Sequence, residues 1–158
     1  LIDHGFDASN GTIFLALVGL FNIIGTYTAG YLGDKYSKPH LLMWLYGLRG
    51  IAIIAFLSLP LSLWSIYSFG IIMGLLWLST VPLTNGIVAN MFGVKYLTML
   101  SGIVFFTHQI GSFFGGWLGG LNHDLTGNYN LMWMGAIGLS LFGVVVHFFV
   151  NEKVVVHD

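Results

Sequence analysis

Residues 30–38 of this 158-residue chain read GYLGDKYSK, a polar stretch between two long apolar runs. No Asp, Glu, Lys or Arg occurs at 8–33 before it, and Arg49 is the only one at 39–94 after it. Two further uncharged runs follow, at 96–123 and 125–151. A helix that crosses a bilayer needs roughly 20 mostly apolar residues. The sequence therefore predicts an all-α membrane protein.

The composition of the whole chain supports a membrane location. Hydrophobic residues make up 56% of the sequence and charged residues 7%, whereas about a quarter of a soluble domain is charged. The formal net charge is −1, which would not attract nucleic acid, so we expect no nucleic-acid partner. The chain has no cysteine, which excludes thiolate metal sites and cysteine nucleophiles. We predict neither a metal nor a cofactor.

Charges, prolines and polar clusters divide the chain into five predicted transmembrane helices. Pro60 is the best position for a turn within 50–94, because proline restrains the preceding residue and cannot continue a hydrogen-bond ladder. Pro82 lies deep in the third helix, where we expect it to kink the helix rather than end it. The predicted bundle occupies 11–150, with spans at 11–33, 39–59, 62–84, 97–120 and 130–150.

The positions of the lysines predict the orientation of the spans. Lys35 and Lys38 follow the first span, Lys95 follows the third, and Lys153 lies in the tail, so all four are on one side. Loops rich in Lys and Arg stay in the cytoplasm. We therefore expect an outside segment at 1–10 and a cytoplasmic tail at 151–158. Five spans that begin outside are expected to be part of a longer protein.

The stretch GYLGDKYSK also has the chemistry of a clamp between helices. Gly30 and Gly33 let another helix approach, Asp34 places an anion at the membrane boundary, and Lys35 and Lys38 can reach partners or lipid phosphates. The alternative is an ordinary positively charged turn at a helix end. The stretch resembles the signature loop of the major facilitator superfamily. This resemblance implies that Asp34 is a switch acid that stabilises one closed conformation.

The resemblance extends over essentially the whole chain. The stretches SGIVFFTHQIG at 101–111, GGWLGG at 115–120 and DLTG at 124–127 are also similar to this superfamily. They look most like bacterial members related to the monocarboxylate transporter branch. The resemblance implies helices eight to twelve of a twelve-helix fold, in its carboxyl-terminal half, with the amino-terminal half of the same protein as partner. It also implies a cell-membrane location, and a bacterial inner membrane is favoured.

Polar side chains at membrane depth are functional candidates, because burying them is costly. Asn22, Arg49, His108 and Gln109 lie near the centres of three predicted spans, which predicts a polar layer. No Asp or Glu lies at that depth, so Arg49 must pair with a carbonyl, a polar side chain, a segment outside this sequence or a solute anion. The sequence leaves open whether Arg49 binds an anion. The resemblance favours a structural role, because it places the helix of Arg49 at the outer flank.

His108 is the preferred candidate for proton coupling or for a hydrogen bond to the solute, because histidine titrates near neutral pH. The alternative is that His108 and Gln109 join helices by hydrogen bonds of about 0.6 to 2 kcal/mol. The resemblance also implies that the third span lines a cavity. Trp77, Thr80 and Asn85 are therefore candidate solute contacts.

Small residues recur along the fourth span. Gly111, Gly115 and Gly119 are four residues apart and form one smooth helix surface that allows close packing. Such surfaces also let the halves of a transporter rock against each other. A kink at Pro82 in the third span is a candidate gate.

The leading hypothesis is a secondary active transporter that moves a small solute by alternating access near the bilayer midplane. An organic anion such as a monocarboxylate is the favoured solute, and proton coupling is the favoured energy source. A noncatalytic membrane scaffold would suit the glycine surface but would not need the charged loop or the polar layer. An intramembrane enzyme that uses His108 is disfavoured, because the sequence has no HExxH pattern.

Overall fold

The computed structural model describes residues 5–154, and this part of the chain is helical with no β-strand. The α3 and α4 helices follow one another closely and form one crossing, so there are five crossings, all long and apolar enough to span a bilayer. The expected all-α membrane fold is confirmed. The helices are α1 (Ala8–Gly33), α2 (Lys38–Ser58), α3 (Leu63–Trp77), α4 (Thr80–Phe92), α5 (Leu97–Thr126) and α6 (Asn130–Phe149), with a 3-10 turn at Val94–Tyr96.

The helix ends follow local sequence signals. Asp7 caps α1, and its side chain accepts a hydrogen bond from the Ser9 N–H at 3.1 Å. Ser62 and Ser65 form a reciprocal capping box at the start of α3. The α2 helix ends before Pro60, which cannot continue the hydrogen-bond ladder. These short-range interactions fix where each apolar segment begins and ends.

Two crossings continue well past the carboxyl-terminal ends of the spans predicted from the sequence. The third crossing continues to Phe92, and α5 continues to Thr126. Helix ends are not membrane boundaries, so the predicted spans, the outside segment and the tail stay predictions. Parts of the last two, residues 1–4 and 155–158, lie outside the described range.

The packed part of the bundle consists of α1, α2, α3, α4 and α6. The α1 helix packs along α3, α2 packs along α6, and α2 also contacts α3 and α4. Two buried apolar clusters fill the space between these helices. One cluster contains Ala52, Ile53, Phe69 and Met73, and the other contains Ala29, Leu42 and Leu83.

The α5 helix is exposed along almost its whole length. It contacts α4, where the Ser101 hydroxyl donates to Asn85 Oδ1 at 2.9 Å, and it has only a small contact with α6. A Cβ atom added at Gly111 or Gly115 would meet no atom within 4 Å. The small-residue surface predicted on this helix is therefore open at Gly111 and Gly115, and only at Gly119 does it approach α6, where a Cβ atom would lie 3.9 Å from Met132 Cε.

Glycines set the spacing between α1 and α3. A Cβ atom at Gly25 would lie 2.1 Å from the carbonyl oxygen of Leu75, and one at Gly74 would lie 2.7 Å from the carbonyl oxygen of Val18. The two backbones therefore touch directly, as small residues allow in pairs of membrane helices. This contact fixes the position of α1 along α3.

We expect Gly25→Ala to destabilise the bundle, because the added methyl group would collide with the α3 backbone. Such overpacking typically costs about 1–3 kcal/mol. Gly19→Ala is the matched control on the same helix, since a Cβ atom there meets no atom within 4 Å. The measurement is the melting temperature of the purified full-length protein in detergent. Equal melting temperatures for the two variants would contradict the direct contact of α1 with α3.

Candidate functional site

The third crossing is interrupted in its middle. The α3 helix ends at Trp77, and α4 begins at Thr80. Pro82 has no N–H, and a proline ring clashes with the carbonyl group four residues earlier, which here belongs to Leu78. The interruption therefore lies in the turn that precedes Pro82, which is the turn that a proline distorts.

Two side chains from neighbouring helices bind the interrupted backbone. Arg49 on α2 donates from Nη2 to the Leu76 carbonyl at 2.7 Å and to the Trp77 carbonyl at 3.1 Å. Asn22 on α1 accepts a hydrogen bond from the Leu78 N–H at 3.0 Å. Helix ends leave backbone groups without partners, and such groups are costly within a bilayer. We call these two side chains and the three backbone groups the break clamp.

Aromatic rings surround the guanidinium group of the break clamp. The guanidinium carbon of Arg49 lies 5.2 Å from the ring centroid of Tyr46 and 5.7 Å from that of Trp77, within the range of cation–π attraction. Carbonyl dipoles and ring faces thus compensate the charge. Of the partners that the sequence left open for Arg49, the structure shows backbone carbonyls.

A cavity of about 640 Å³ borders the break clamp. It lies between α1, α2, α3 and α6, and Arg49 and Trp77 form part of a wall that is otherwise mainly apolar. The Nε–H of Arg49 is buried and has no acceptor among the described residues. An unsatisfied donor on a charged group is unfavourable at such a site. Arg49 therefore forms part of the wall of a cavity large enough for a small solute, and it keeps a buried hydrogen-bond donor without an acceptor among residues 5–154.

The other two members of the predicted polar layer lie apart from the break clamp. His108 and Gln109 are on an exposed face of α5, with His108 Nδ1 3.4 Å from Gln109 Oε1. The Phe105 ring stacks on the His108 ring with centroids 6.2 Å apart. The structure thus brings Asn22 and Arg49 together and leaves His108 and Gln109 on a separate surface.

The remaining candidates on α3 and α4 have different local roles. Trp77 lines the cavity and contributes its carbonyl to the break clamp. The Thr80 hydroxyl donates to that same carbonyl at 3.4 Å, so it also helps to satisfy the interruption. Asn85 bonds Ser101 and ties α4 to α5. Neither Thr80 nor Asn85 is among the described residues that line this cavity.

The loop between α1 and α2 holds the predicted switch residues. The N–H of Asp34 donates to the carbonyl of Gly30 at 3.2 Å, and the Asp34 side chain is exposed. A Cβ atom at Gly33 would lie 2.7 Å from Leu83, so α1 ends directly against α4. The Lys35 ammonium donates a hydrogen bond to the Tyr31 hydroxyl. Asp34 is thus displayed on a loop whose supporting helix ends are closely packed.

One interacting residue was not indicated by the sequence. Glu152 in the tail pairs with Lys38 at 3.8 Å, which is the one ion pair that residues 5–154 show. The signal available in the sequence was weak, namely that Glu152 is the only glutamate in the chain. As for metals, no three His, Asp or Glu side chains in the described range lie close enough together to hold an ion.

Known proteins resemble this chain over most of its length. It is 31% identical to the uncharacterized MFS-type transporter YcxA of Bacillus subtilis over 149 residues, which cover 88% of this chain and 36% of that protein. It is 26% identical to monocarboxylate transporter 13 of Rattus norvegicus over 156 residues, or 94% of this chain and 36% of that protein. The chain thus spans about a third of the length of these relatives. No solved structure matches it.

A protein-family model also matches this chain. The model of the Major Facilitator Superfamily matches residues 2–157, which is nearly the entire chain. The resemblance inferred from the sequence is thereby confirmed. The chain is part of a multi-pass membrane protein, and it belongs to the Major Facilitator Superfamily.

Proposed function

We propose that this chain is part of a secondary active transporter that moves a small organic anion by alternating access. The observation that carries the proposal is the break clamp, an interrupted crossing beside a cavity at which Arg49 keeps an unused donor. In many transporters, discontinuous helices form the solute site and take part in gating. A noncatalytic scaffold could use Arg49 to satisfy the interruption, but it would have no use for a solute-sized cavity beside the guanidinium.

The place of the chain within the whole protein follows from the same proposal. The five crossings are helices eight to twelve, in the carboxyl-terminal half, and the partner is the amino-terminal half of the same protein. The tail is cytoplasmic, in keeping with the lysines on that side. The cell membrane is bacterial, which the match to a Bacillus subtilis protein supports. The exposed small-residue surface of α5 suits the sliding contact that rocking halves need.

The solute is a small monocarboxylate. A guanidinium group binds a carboxylate through directed, charge-assisted hydrogen bonds, which are stronger than neutral ones. The mainly apolar wall of the cavity would cover the hydrocarbon part of such a solute. One relative is named a monocarboxylate transporter, which supports this solute class. Arg49 then has two roles, since Nη2 stabilises the interruption and the positive charge of the guanidinium, in the cavity wall, attracts the solute carboxylate.

The coupling ion is H⁺, and His108 is its carrier. The exposed position of His108 on α5 leaves its ring accessible to the solute path or to the other half of the protein. Asp34 on its exposed loop is the switch acid that favours one closed conformation. The interruption before Pro82 is the gate, because a helix without continuous hydrogen bonds bends at lower cost than a regular one.

The structural role of Arg49 is tested by stability. Arg49→Met should lower the melting temperature of the full-length protein, because two carbonyl groups lose a charged donor and such bonds are worth about 1.5–3 kcal/mol each. Arg49→Lys keeps one donor and should give an intermediate value. Lys95→Met removes an exposed cation and is the control. If Arg49→Met has the same melting temperature as the parent protein, the interruption does not depend on this side chain.

Solute binding is tested by uptake into vesicles that contain the full-length protein. We expect labelled lactate, pyruvate or a related small acid to accumulate when a proton gradient is imposed. Arg49→Lys should raise the KM roughly 10- to 100-fold, the equivalent of one lost charged hydrogen bond. Lys95→Gln should leave the KM unchanged. If folded protein takes up none of these acids, the solute is not a small monocarboxylate.

Proton coupling is tested separately at α5. His108→Ala should abolish the dependence of uptake on the proton gradient while uptake down a solute gradient persists, because only the titrating group is removed. Gln109→Ala is the neighbouring control and should keep the dependence. An unchanged proton dependence in His108→Ala would show that the coupling group lies elsewhere.

A further inference from the structure

The tail after α6 folds back onto the start of α2 and the end of α4. The Glu152 Oε1 atom accepts a hydrogen bond from the Lys38 backbone N–H at 3.3 Å. Its Oε2 atom accepts one from Asn90 Nδ2 at 3.2 Å and lies 3.8 Å from the Lys38 Nζ. A single carboxylate therefore joins the tail, α2 and α4.

Glu152 supplies the cap that α2 otherwise lacks. Ser37 precedes the helix, but its side chain makes no capping hydrogen bond, and its Oγ lies 2.9 Å from His40 Nδ1 instead. The first N–H groups of a helix have no partner within the helix, and this end favours an anion. The Glu152 carboxylate provides both the acceptor and the negative charge from a position 114 residues away in the sequence.

The surface of α4 is shaped to let Lys38 reach Glu152. A Cβ atom at Gly86 would lie 2.7 Å from Lys38 Cε, so the lysine stem runs directly over this glycine. Asn90 is one helical turn further along the same face of α4. The side chains of Lys38 and Glu152 are 17% and 25% exposed, so salt screens their attraction less than that of a surface pair. We call Lys38, Gly86, Asn90 and Glu152 the tail clasp.

We propose that the tail clasp positions the loop at 34–37, so that Glu152 sets how readily the transporter changes conformation. Lys38 is the last residue of the stretch GYLGDKYSK and the first residue of α2. Because the tail clasp holds Lys38 in place, it fixes the distance between the end of α1 and the start of α2. Asp34 and Lys35, which lie between these points, remain exposed for contact with the other half. Glu152 is a positioning residue, since it is not among the described residues that line the cavity beside Arg49.

The clasp itself is tested by the distance between spin labels on Tyr36→Cys and Val154→Cys in the full-length protein, with any other cysteines replaced. Both positions are well exposed, and neither takes part in the clasp. The parent protein should give a narrow distance distribution. Glu152→Ala should broaden it by raising the population of released tail roughly two- to tenfold, the range for a lost cap or ion pair. Glu152→Gln keeps an acceptor for the Lys38 N–H and should lie between the two.

The control for this experiment is the neighbouring residue. Lys153→Gln changes the charge of the tail by one unit in the opposite direction without touching the clasp, so its distribution should match that of the parent. Asn90→Leu removes one clasp contact and should broaden the distribution less than Glu152→Ala. A Glu152→Ala distribution as narrow as that of the parent would overturn the proposal.

The consequence for transport rests on the proposed function and has its own readout. Glu152→Ala should change the maximal uptake rate roughly two- to tenfold and leave the KM within about twofold, because the residue acts on the loop and not on the solute. A change confined to the KM would show that Glu152 is not a positioning residue. If the parent protein transports no tested acid, the proposed solute fails, while the spin-label distances still decide whether the clasp exists.

Discussion

A bilayer core offers no water to an unpaired backbone group, so an interrupted helix must find its hydrogen-bond partners inside the protein. The break between α3 and α4 imposes that requirement on the whole bundle. The close contact at Gly25 seats α1 against α3 and brings Asn22 to the Leu78 N–H. The packing of α2 on α3 and α4 brings Arg49 to the two carbonyls. The close packing of the helices and the positions of Asn22 and Arg49 therefore both help to satisfy the backbone groups at the break.

The choice of arginine at this position has a physical reason. A lysine presents one compact ammonium group, whereas a guanidinium has five donors fixed in a plane. Nη2 of Arg49 spans two successive carbonyls while Nε remains unused. The guanidinium is costly to place in a membrane, but it donates hydrogen bonds to carbonyl groups at the break. The rings of Tyr46 and Trp77 reduce the free-energy cost of its desolvation. The same geometry that satisfies the break leaves the buried Nε–H without an acceptor in the described part of the chain.

The features predicted from the sequence are those that depend on neighbouring residues. Long uncharged runs predicted the crossing helices, and the turn at Pro60 reflects a local steric rule. The polar layer was harder to predict, because residues at the same depth in the membrane can point in different directions around the bundle. Arg49 faces the break, whereas His108 lies on the exposed side of α5. The contact of Glu152 with Lys38 could not be predicted, because it joins residues far apart in the chain through the tertiary fold.

Alternating access requires parts that move as rigid bodies and surfaces that slide. Backbone contact at Gly25 joins α1 to α3, and a Cβ atom at Gly143 would lie 2.8 Å from the Tyr46 ring, so this ring of α2 packs directly on the α6 backbone. The Glu152 carboxylate then ties the tail to α2 and α4. These contacts resist sliding, because any shift would force backbones together or leave polar groups unpaired. Within residues 5–154, α5 has the fewest such restraints, chiefly the Ser101–Asn85 hydrogen bond to α4, so the proposed relative motion is best accommodated on its glycine surface.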